Sequence, residues 1–342
     1  QRTATVLLPK DYLRYRMTGK KVSDMSDAAG TLWLDVAKRD WSDALLDKCG
    51  LARSQMPTLV EGCEVSATLD PQVAERWGLN ASVAVAGGGG DNAVSAIGVG
   101  AVSPGDAFIS LGTSGVLFVV TDAYRPAPQS AVHAFCHVLP NLWHQMSVML
   151  SAASCLQWFC RLTGTTEVAL LEEIAELSEE EKSHAPFFLP YLSGERTPHN
   201  DPDARGMFWG MTHSSLRAQL GYAVLEGVSF GINDGLQVLK ESGTQIEQCS
   251  LVGGGARSPF WAQLLADILD MPVVTHKGGE TGGALGAARL ACLAVGKPIA
   301  EVCEKPEIWQ TWRADPVRHQ TLMRRYAQFK ALYLNDLNYR QH

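Results

Sequence analysis

Ser82-Val83-Ala84-Val85-Ala86-Gly87-Gly88-Gly89-Gly90-Asp91-Asn92-Ala93 is a run of small apolar residues that ends in four glycines and an acid. Continuous apolar character with β-branched residues predicts a buried strand, and the glycines predict the tight turn that stops it. The pattern recurs twice. Asp106-Ala107-Phe108-Ile109-Ser110-Leu111 runs into Gly112-Thr113-Ser114-Gly115 and on into a second strand, Val116 to Val120, which makes a hairpin. Cys249-Ser250-Leu251-Val252 runs into Gly253-Gly254-Gly255-Ala256-Arg257-Ser258. An amphipathic helix from Phe260 to Leu269, a short strand at Val273-Val274 and a glycine-broken helix from Gly283 to Ala294 follow it. Strands and helices alternating in this way predict an α/β protein with helices covering sheets.

Working outward, Thr5 to Leu8 reads as strand-like, and residues 9–77 read as mostly helical, with helices ending at Gly19 and Gly50. Residues 145–180 read as helical, with Leu150, Cys155, Trp158 and Leu162 on one face, followed by a charged surface helix from Glu172 to Lys182. Pro186 to Arg205 is a long irregular stretch of the kind usually reserved for function. From Ser215, the residues Leu216, Leu220, Val224, Val228 and Ile232 step at helical spacing toward Leu239. Gly, Ser and Pro gather between Gly98 and Gly105, which places the domain break there.

The 342 residues carry 29 Lys plus Arg against 36 Asp plus Glu, a formal charge of −7, with no basic stripe, so nucleic acid is not an expected partner. With 46% hydrophobic and 19% charged residues the chain has a globular composition, not a disordered one. Eight dispersed cysteines without a Cys-x-x-Cys pair read as reduced cytoplasmic thiols. No apolar run approaches the ~18 residues of a membrane span. His133, His137 and His144 lack acidic or Cys partners at ligand spacing and read as packing residues, so no metal site is assigned. Trp209, Trp261, Trp309 and Trp312 read as core.

A glycine turn after a strand leaves its N–H groups uncovered, and such a nest accepts phosphate oxygens. Each turn taken singly is equally well a helix cap. Asp91 stands at the carboxyl end of its strand, where open α/β sheets bind ligands, or else caps the following helix. Gly88 to Ala93 also fits a loose dinucleotide fingerprint. That reading needs an acid about 20 residues on, and Gly112 and Thr113 occupy the place. Ser151-Ala152-Ala153-Ser154 reads either as a capped helix start or as a small-residue floor beneath a nucleotide.

Several blocks together resemble the FGGY carbohydrate kinases. Gly206-Met207-Phe208-Trp209-Gly210-Met211, seven residues, then Gln219-Leu220-Gly221-Tyr222-Ala223-Val224-Leu225-Glu226 is similar to that family's second signature. Gly254 to Trp261 is similar to its adenosine turn, and Ile109 to Gly115 to its second phosphate turn. Phe188 to His199 and Gly88 to Ala93 look most like the members that act on D-xylulose.

The resemblance implies an α/β, actin/hexokinase-like (ribonuclease H-like) fold, with residues 1–99 the tail of a sugar-binding first domain and 100–342 a complete nucleotide-binding domain. It implies ATP and Mg²⁺ as cofactors and phosphorylation of D-xylulose to D-xylulose 5-phosphate in the cytoplasm, with a homodimer allowed. Ribulose, gluconate or glycerol are the alternative acceptors, and an inactive nucleotide-binding fragment is the alternative class. It places Asp91 as general base and Asn92 on the ketose. Gly112, Thr113, Ser114, Gly115, Ala153, Gln157, Gly254, Gly255, Ala256 and Ser258 fall on the nucleotide. The family opens with an Asp-x-Gly-Thr-Ser turn that organises Mg²⁺, and no such block precedes Thr5. The expectation is therefore of a missing N-terminal segment and of no turnover by these 342 residues alone.

Overall fold

The computed structural model describes residues 3–277 and 282–341. Its centre is a seven-stranded mixed sheet in the spatial order Ile308–Trp312, Val273–His276, Cys249–Val252, Ala107–Leu111, Gly115–Thr121, Trp143–Met149, His133–Cys136. Cys249–Val252 runs parallel to both of its neighbours, while Ala107–Leu111, Gly115–Thr121, Trp143–Met149 and His133–Cys136 pair antiparallel in that order, with 143–149 inserted between 115–121 and 133–136. The apolar runs at 107–111 and 115–121 are continuous because both faces are covered. Ile109, Leu111, Leu117 and Val119 enter the main core, and Phe108, Val116, Phe118 and Val120 face the other way. The main core is closed by the helices Arg217–Glu241, Pro259–Leu269 and Pro316–Gln341.

The opposite face meets the helix Asp91–Gly98, which packs closely on Gly282–Ala294. A Cβ on Gly98 would lie 1.9 Å from the Gly282 carbonyl, and one on Gly286 1.9 Å from that of Val94, so bare backbone sets the separation of these helices. Arg289 then caps the first helix, donating to the carbonyls of Ile97 and Gly98 at 2.8 and 3.0 Å.

Residues 3–98 have a different character. Instead of one sheet they hold three two-stranded pairs, Val22–Asp24 with Thr58–Val60, Leu34–Asp35 with Asp40–Trp41, and Val65–Thr68 with Ala84–Ala86. Their core of Ala28, Leu34, Val36, Trp41 and Leu46 closes over Cys136 of the large sheet. Polar contacts finish the joint: the Trp143 indole donates to the Val36 carbonyl at 2.9 Å, and Arg39 ion-pairs with Glu61 while donating to the Leu142 carbonyl at 2.7 Å.

The hairpin at 107–120, the long helix after Ser215, the strand at 249–252 and the helix ending at Leu269 form as the periodicity predicts. Pro9–Thr18 ends as expected on Gly19 in the left-handed region. Other expectations need correction. The Ser82–Ala86 run forms a strand only over Ala84–Ala86 and is half-buried, because it pairs with a single neighbour outside the large sheet. Thr5–Leu8 is not a strand, and residues 9–77 hold five short strands besides their helices. Residues 143–149 are a strand, with the helix beginning only at Ala153, so Leu150 lies off the helix and Leu162 on it is 66% exposed. The charged helix is two, Glu167–Ala175 and Glu179–Ser183, because Ser178 caps a new start through the N–H of Glu181. Gly282–Ala294 is one continuous helix, its glycines serving close contact. Of the tryptophans, Trp261 and Trp312 are core, but Trp209 and Trp309 are 53% and 67% exposed.

Candidate active site

The carboxyl ends of the parallel strands 107–111 and 249–252 lie side by side, Leu251 opposite Ile109 and Val252 opposite Ser110. Each ends in its glycine turn, and the turn at 253–258 packs on Leu111, the residue that leads into the other. Gly253 sits at φ +87, and a Cβ there would lie 2.9 Å from the Leu111 carbonyl. Only glycine combines that dihedral with that approach. Gly255 is equally close to the Leu111 side chain, at 2.4 Å for an added Cβ. Gly254 is exposed with nothing within 4 Å of its Cβ position, a bare ledge beside the cleft.

The hairpin turn is fixed from behind. Ala152 and Ala153 donate their N–H groups to the carbonyls of Thr113 and Gly112 at 2.9 and 2.8 Å, and the Ser154 hydroxyl donates to the Thr113 carbonyl at 2.7 Å. Thr113 and Ser114 are left exposed, and Gly115 is pressed on Ile232 and Ala152. The small residues at 151–154 thus serve the turn itself, with Ala153 and Ser154 half-buried and Gln157 exposed one turn along.

A cavity of about 370 Å³ opens between these strand ends and the helix Asp91–Gly98. Asn92 and Ser95, three residues apart and so on one helix face, line it opposite Ser110, Gly253, Gly254 and Arg257. Ser95, Ser110 and Arg257 were not singled out in the sequence. The available signals were a hydroxyl inside an otherwise apolar strand, at Ser110, and the helical spacing of Ser95 from Asn92. A larger cavity, about 740 Å³, lies at the opposite end of the sheet around Asp106, Arg125 and Lys305. It is remote from all three turns, and its Lys305 and Arg125 are already paired with Asp106 and Asp122.

Asp91 is exposed on the first turn of its helix, next in the chain to Asn92, which lines the cavity. Gly90 holds the N-cap position, so Asp91 is not the cap residue. Its Oδ1 accepts from the Asn92 N–H at 2.7 Å and the Asn92 amide at 3.1 Å, and its charge suits the helix N-terminus. The turn before it is held by polar neighbours. The Ser26 hydroxyl accepts the Gly90 N–H at 3.0 Å while donating to buried Asp24 at 2.6 Å. Asp27 Oδ1 lies 3.6 Å from the Gly90 Cβ position, and burial raises its carboxyl against the pull of Lys10. Gly88 and Gly89 face Gly62 and Val138.

Of the expected residues, Asn92 and Gly254 line this cleft; Asp91 is next to Asn92 in the chain, and Gly112 to Gly115 follow Leu111, on which Gly253 and Gly255 pack, but neither Asp91 nor that turn lines the cavity. The structure does not give every expected residue a ligand-facing atom. Ser258 is buried, and its hydroxyl caps the 259–269 helix by accepting from the Trp261 N–H at 3.2 Å. Gly255 and Ala256 are behind the ledge in a short 3-10 turn. Among the described residues no group of three His, Cys, Asp or Glu could hold a metal ion. No described helix is long and apolar enough to cross a membrane.

Comparison with known proteins places the two parts of the chain. The N-terminal domain of the FGGY family of carbohydrate kinases matches residues 1–98, and its C-terminal domain matches 107–295. A xylulose kinase of Escherichia coli K12 is 52% identical over 96% of the chain and 68% of its own length. One from Klebsiella pneumoniae is 53% identical over 85% of the chain and 59% of its length. The chain thus spans between 59% and 68% of these curated relatives. The crystal structure of a xylulose kinase from Brucella ovis superposes with a TM-score of 0.93 at 49% identity, covering 98% of this chain and 69% of that one.

Proposed function

This chain belongs to the FGGY family of carbohydrate kinases and has its actin/hexokinase-like fold, and we propose that it serves the ATP-dependent phosphorylation of D-xylulose at its terminal hydroxyl. The observation that carries the reading is the cleft in which Gly253 and Gly254, at the end of one strand, face Asn92 and Ser95 on the helix that begins at Asp91, with the Gly112–Gly115 turn at the end of the adjacent parallel strand. The xylulose kinases at 52% and 53% identity support the choice of sugar.

In this reading Asp91 is the general base that takes the proton from the attacking hydroxyl, and Asn92 holds the ketose. The N–H groups of Gly112 to Gly115 hold phosphate, and Gly254 with Gly255 and Ala256 forms the wall for the adenosine. Ala153 backs the phosphate turn, Gln157 borders it, and Ser258 keeps the wall in place from the head of its helix. Phosphoryl transfer asks for positioning and charge neutralisation more than for covalent chemistry, and a turn free of side chains lets phosphate oxygens reach the backbone. Mg²⁺ enters as the counter-charge of the ATP phosphates. When bound, that ion would be held chiefly by the phosphate oxygens, since among the described residues no group of three His, Cys, Asp or Glu could hold it. Residues 1–99 serve as part of the sugar-binding lobe and 100–342 as the nucleotide-binding one.

A panel of D-xylulose, ribulose, gluconate and glycerol, read as acceptor-dependent ADP release by the intact kinase and not by these 342 residues alone, tests the assignment. D-xylulose is expected to turn over fastest; a faster rate on any of the other three overturns the choice of sugar.

A further inference from the structure

Beyond the cleft, the most unusual buried group is Glu195, in the irregular stretch the sequence marked as functional. Its residue is only 3% exposed, and among the described residues no cation forms an ion pair with its carboxyl, Arg196 acting on it only from a distance. One oxygen, Oε1, accepts the N–H groups of Leu150 and Arg196 at 2.9 and 2.7 Å; the other, Oε2, is buried without a hydrogen-bond partner. The surrounding stretch substitutes for a missing strand. Past Met146 the 143–149 strand has lost its neighbour at 133–136, and Thr197 takes over, bonding the Val148 N–H and carbonyl at 3.0 and 3.1 Å. Glu195 continues this edge by one more bond, to Leu150.

Leu150 is two residues before Ala152, whose N–H, with that of Ala153, holds the carbonyls of Thr113 and Gly112. We propose that Glu195 is a positioning residue for the Gly112–Gly115 turn, acting through Leu150 and the start of the 153–163 helix. The proposal rests on the reading of that turn as the phosphate cradle. A second link runs the same way: the Cys155 thiol, on that helix, reaches the carbonyls of both Ser151 and Pro190 at 3.4 and 3.5 Å. The loop is therefore tied to the helix start at two points.

The surroundings make this hold sensitive to charge. Asp234 faces Glu195 from the 217–241 helix, with Tyr326 donating to it and Lys330 beyond. Cys155 faces it from the 153–163 helix, and Tyr191 and Arg196 from its own loop, with His199 behind Tyr191. Burial, the largest influence, pushes the Glu195 carboxyl up to about 7. Because the folded value lies above the ordinary 4.5, the buried form is favoured at low pH. Opening of the loop, which would return the carboxylate to water, becomes easier as pH rises through the folded value.

The test compares the wild-type chain with Glu195→Gln, which keeps an oxygen for Leu150 and carries no charge, and with Glu195→Ala, which has none. Two readouts are taken from pH 6 to 8.5: amide protection factors across residues 150–156, and binding of ADP with Mg²⁺ by calorimetry. The expected result is that wild-type protection and affinity fall as pH rises to about 7 and level off above it, while Glu195→Gln stays flat. At pH 6.5 Glu195→Ala should bind ADP about tenfold more weakly, the loss of one hydrogen bond or ~1.4 kcal/mol. Identical pH profiles for wild type and Glu195→Gln overturn the proposal, whether or not Glu195→Ala folds. If the wild-type chain binds no ADP yet its protection at 150–156 depends on Glu195, the nucleotide reading fails and the positioning contact stands.

Discussion

The three glycine turns look alike in sequence and are supported in unlike ways. Those at 112–115 and 253–258 sit on strands buried in a seven-stranded sheet, and a side chain on Gly253 or Gly255 would run into Leu111. The turn at 87–90 sits on a three-residue strand, half-buried, with one partner. Its position is set from the side, by Ser26, by the Gly62 segment and by Val138 of the other region. Apolar burial thus fixes the 253–258 turn and the strands that carry both nucleotide turns, with the tip at 112–115 held further by the N–H groups of Ala152 and Ala153, while the turn that carries Asp91 has no such sheet beneath it and depends mainly on directed hydrogen bonds. Burial is insensitive to the loss of any one polar atom; a polar mount is not.

The joint between the two regions is where the contrast should break first, in acid. His137 and His144 are fully buried there, next to Phe118. The His137 Nδ1 accepts the Leu139 N–H at 3.2 Å, which leaves the proton on Nε2, an atom with no partner. Burial lowers His137 to about 3 and His144 well below the usual 6.5. Since the unfolded imidazoles protonate first, the folded state loses stability as pH falls from about 6.5 toward 3, on the order of 4 kcal/mol for His137 alone. Urea titrations at pH 7, 5 and 4 should show that loss, reduced in His137→Asn. An unchanged pH slope in that variant would remove His137 as the cause.

Next in size is the difference between the supports. Leu111→Ala removes a fully buried side chain from the main core and should cost about 2–5 kcal/mol, whereas Val85→Ala on the half-buried strand should cost under ~1 kcal/mol. Equal costs in chemical denaturation would mean that the 84–86 strand is as firmly seated as the sheet. Asp91→Ala addresses chemistry directly. As general base, its replacement in the intact kinase should lower D-xylulose-dependent ADP release by about 10²-fold or more, with ADP affinity unchanged. A variant that keeps its rate would return Asp91 to the role of a helix-terminal charge.

How much of this was legible depends on what each signal measures. Apolar periodicity reports burial, so it found the hairpin, the 217–241 and 259–269 helices and the 249–252 strand. It read Ser82–Ala86 as buried because small β-branched residues look the same in a two-stranded pair. The strand at 143–149 was taken for helix because Gln145 and Ser147 break its apolar run, yet both are buried; Gln145 uses its amide on the Arg125 carbonyl at 2.6 Å. For the cleft, glycine placement nominates Asp91 and the turns at Gly112 and Gly254, while Asn92 comes from the family resemblance; of these, Asn92 and Gly254 line the cavity. Ser258 was assigned to the ligand because a hydroxyl after a glycine turn does not reveal that the next helix has claimed it. Asp24, Ser26 and Asp27 left no trace, since their connection to Gly90 spans more than sixty residues and only the folded chain closes it.

Ser26 gives the sharpest test of the polar mount. Its hydroxyl does two things at once, accepting from Gly90 at 3.0 Å and donating to Asp24 at 2.6 Å, and Asp24 also caps the N–H groups of Ser26 and Asp27. Ser26→Ala leaves the Gly90 N–H without its acceptor and removes one donor from a fully buried carboxylate, a cost of about 1–3 kcal/mol. If the polar mount sets the direction of Asp91, most of that cost should appear locally. Turnover should fall about tenfold, ADP affinity should stay within twofold because the nucleotide turns rest on the sheet, and Ser26→Thr should restore the rate by keeping the hydroxyl. Were Ser26→Ala to weaken ADP binding as much as turnover, the two supports would not be independent, and the helix Asp91–Gly98 would transmit strain to the sheet through its contact with Gly282 and Gly286.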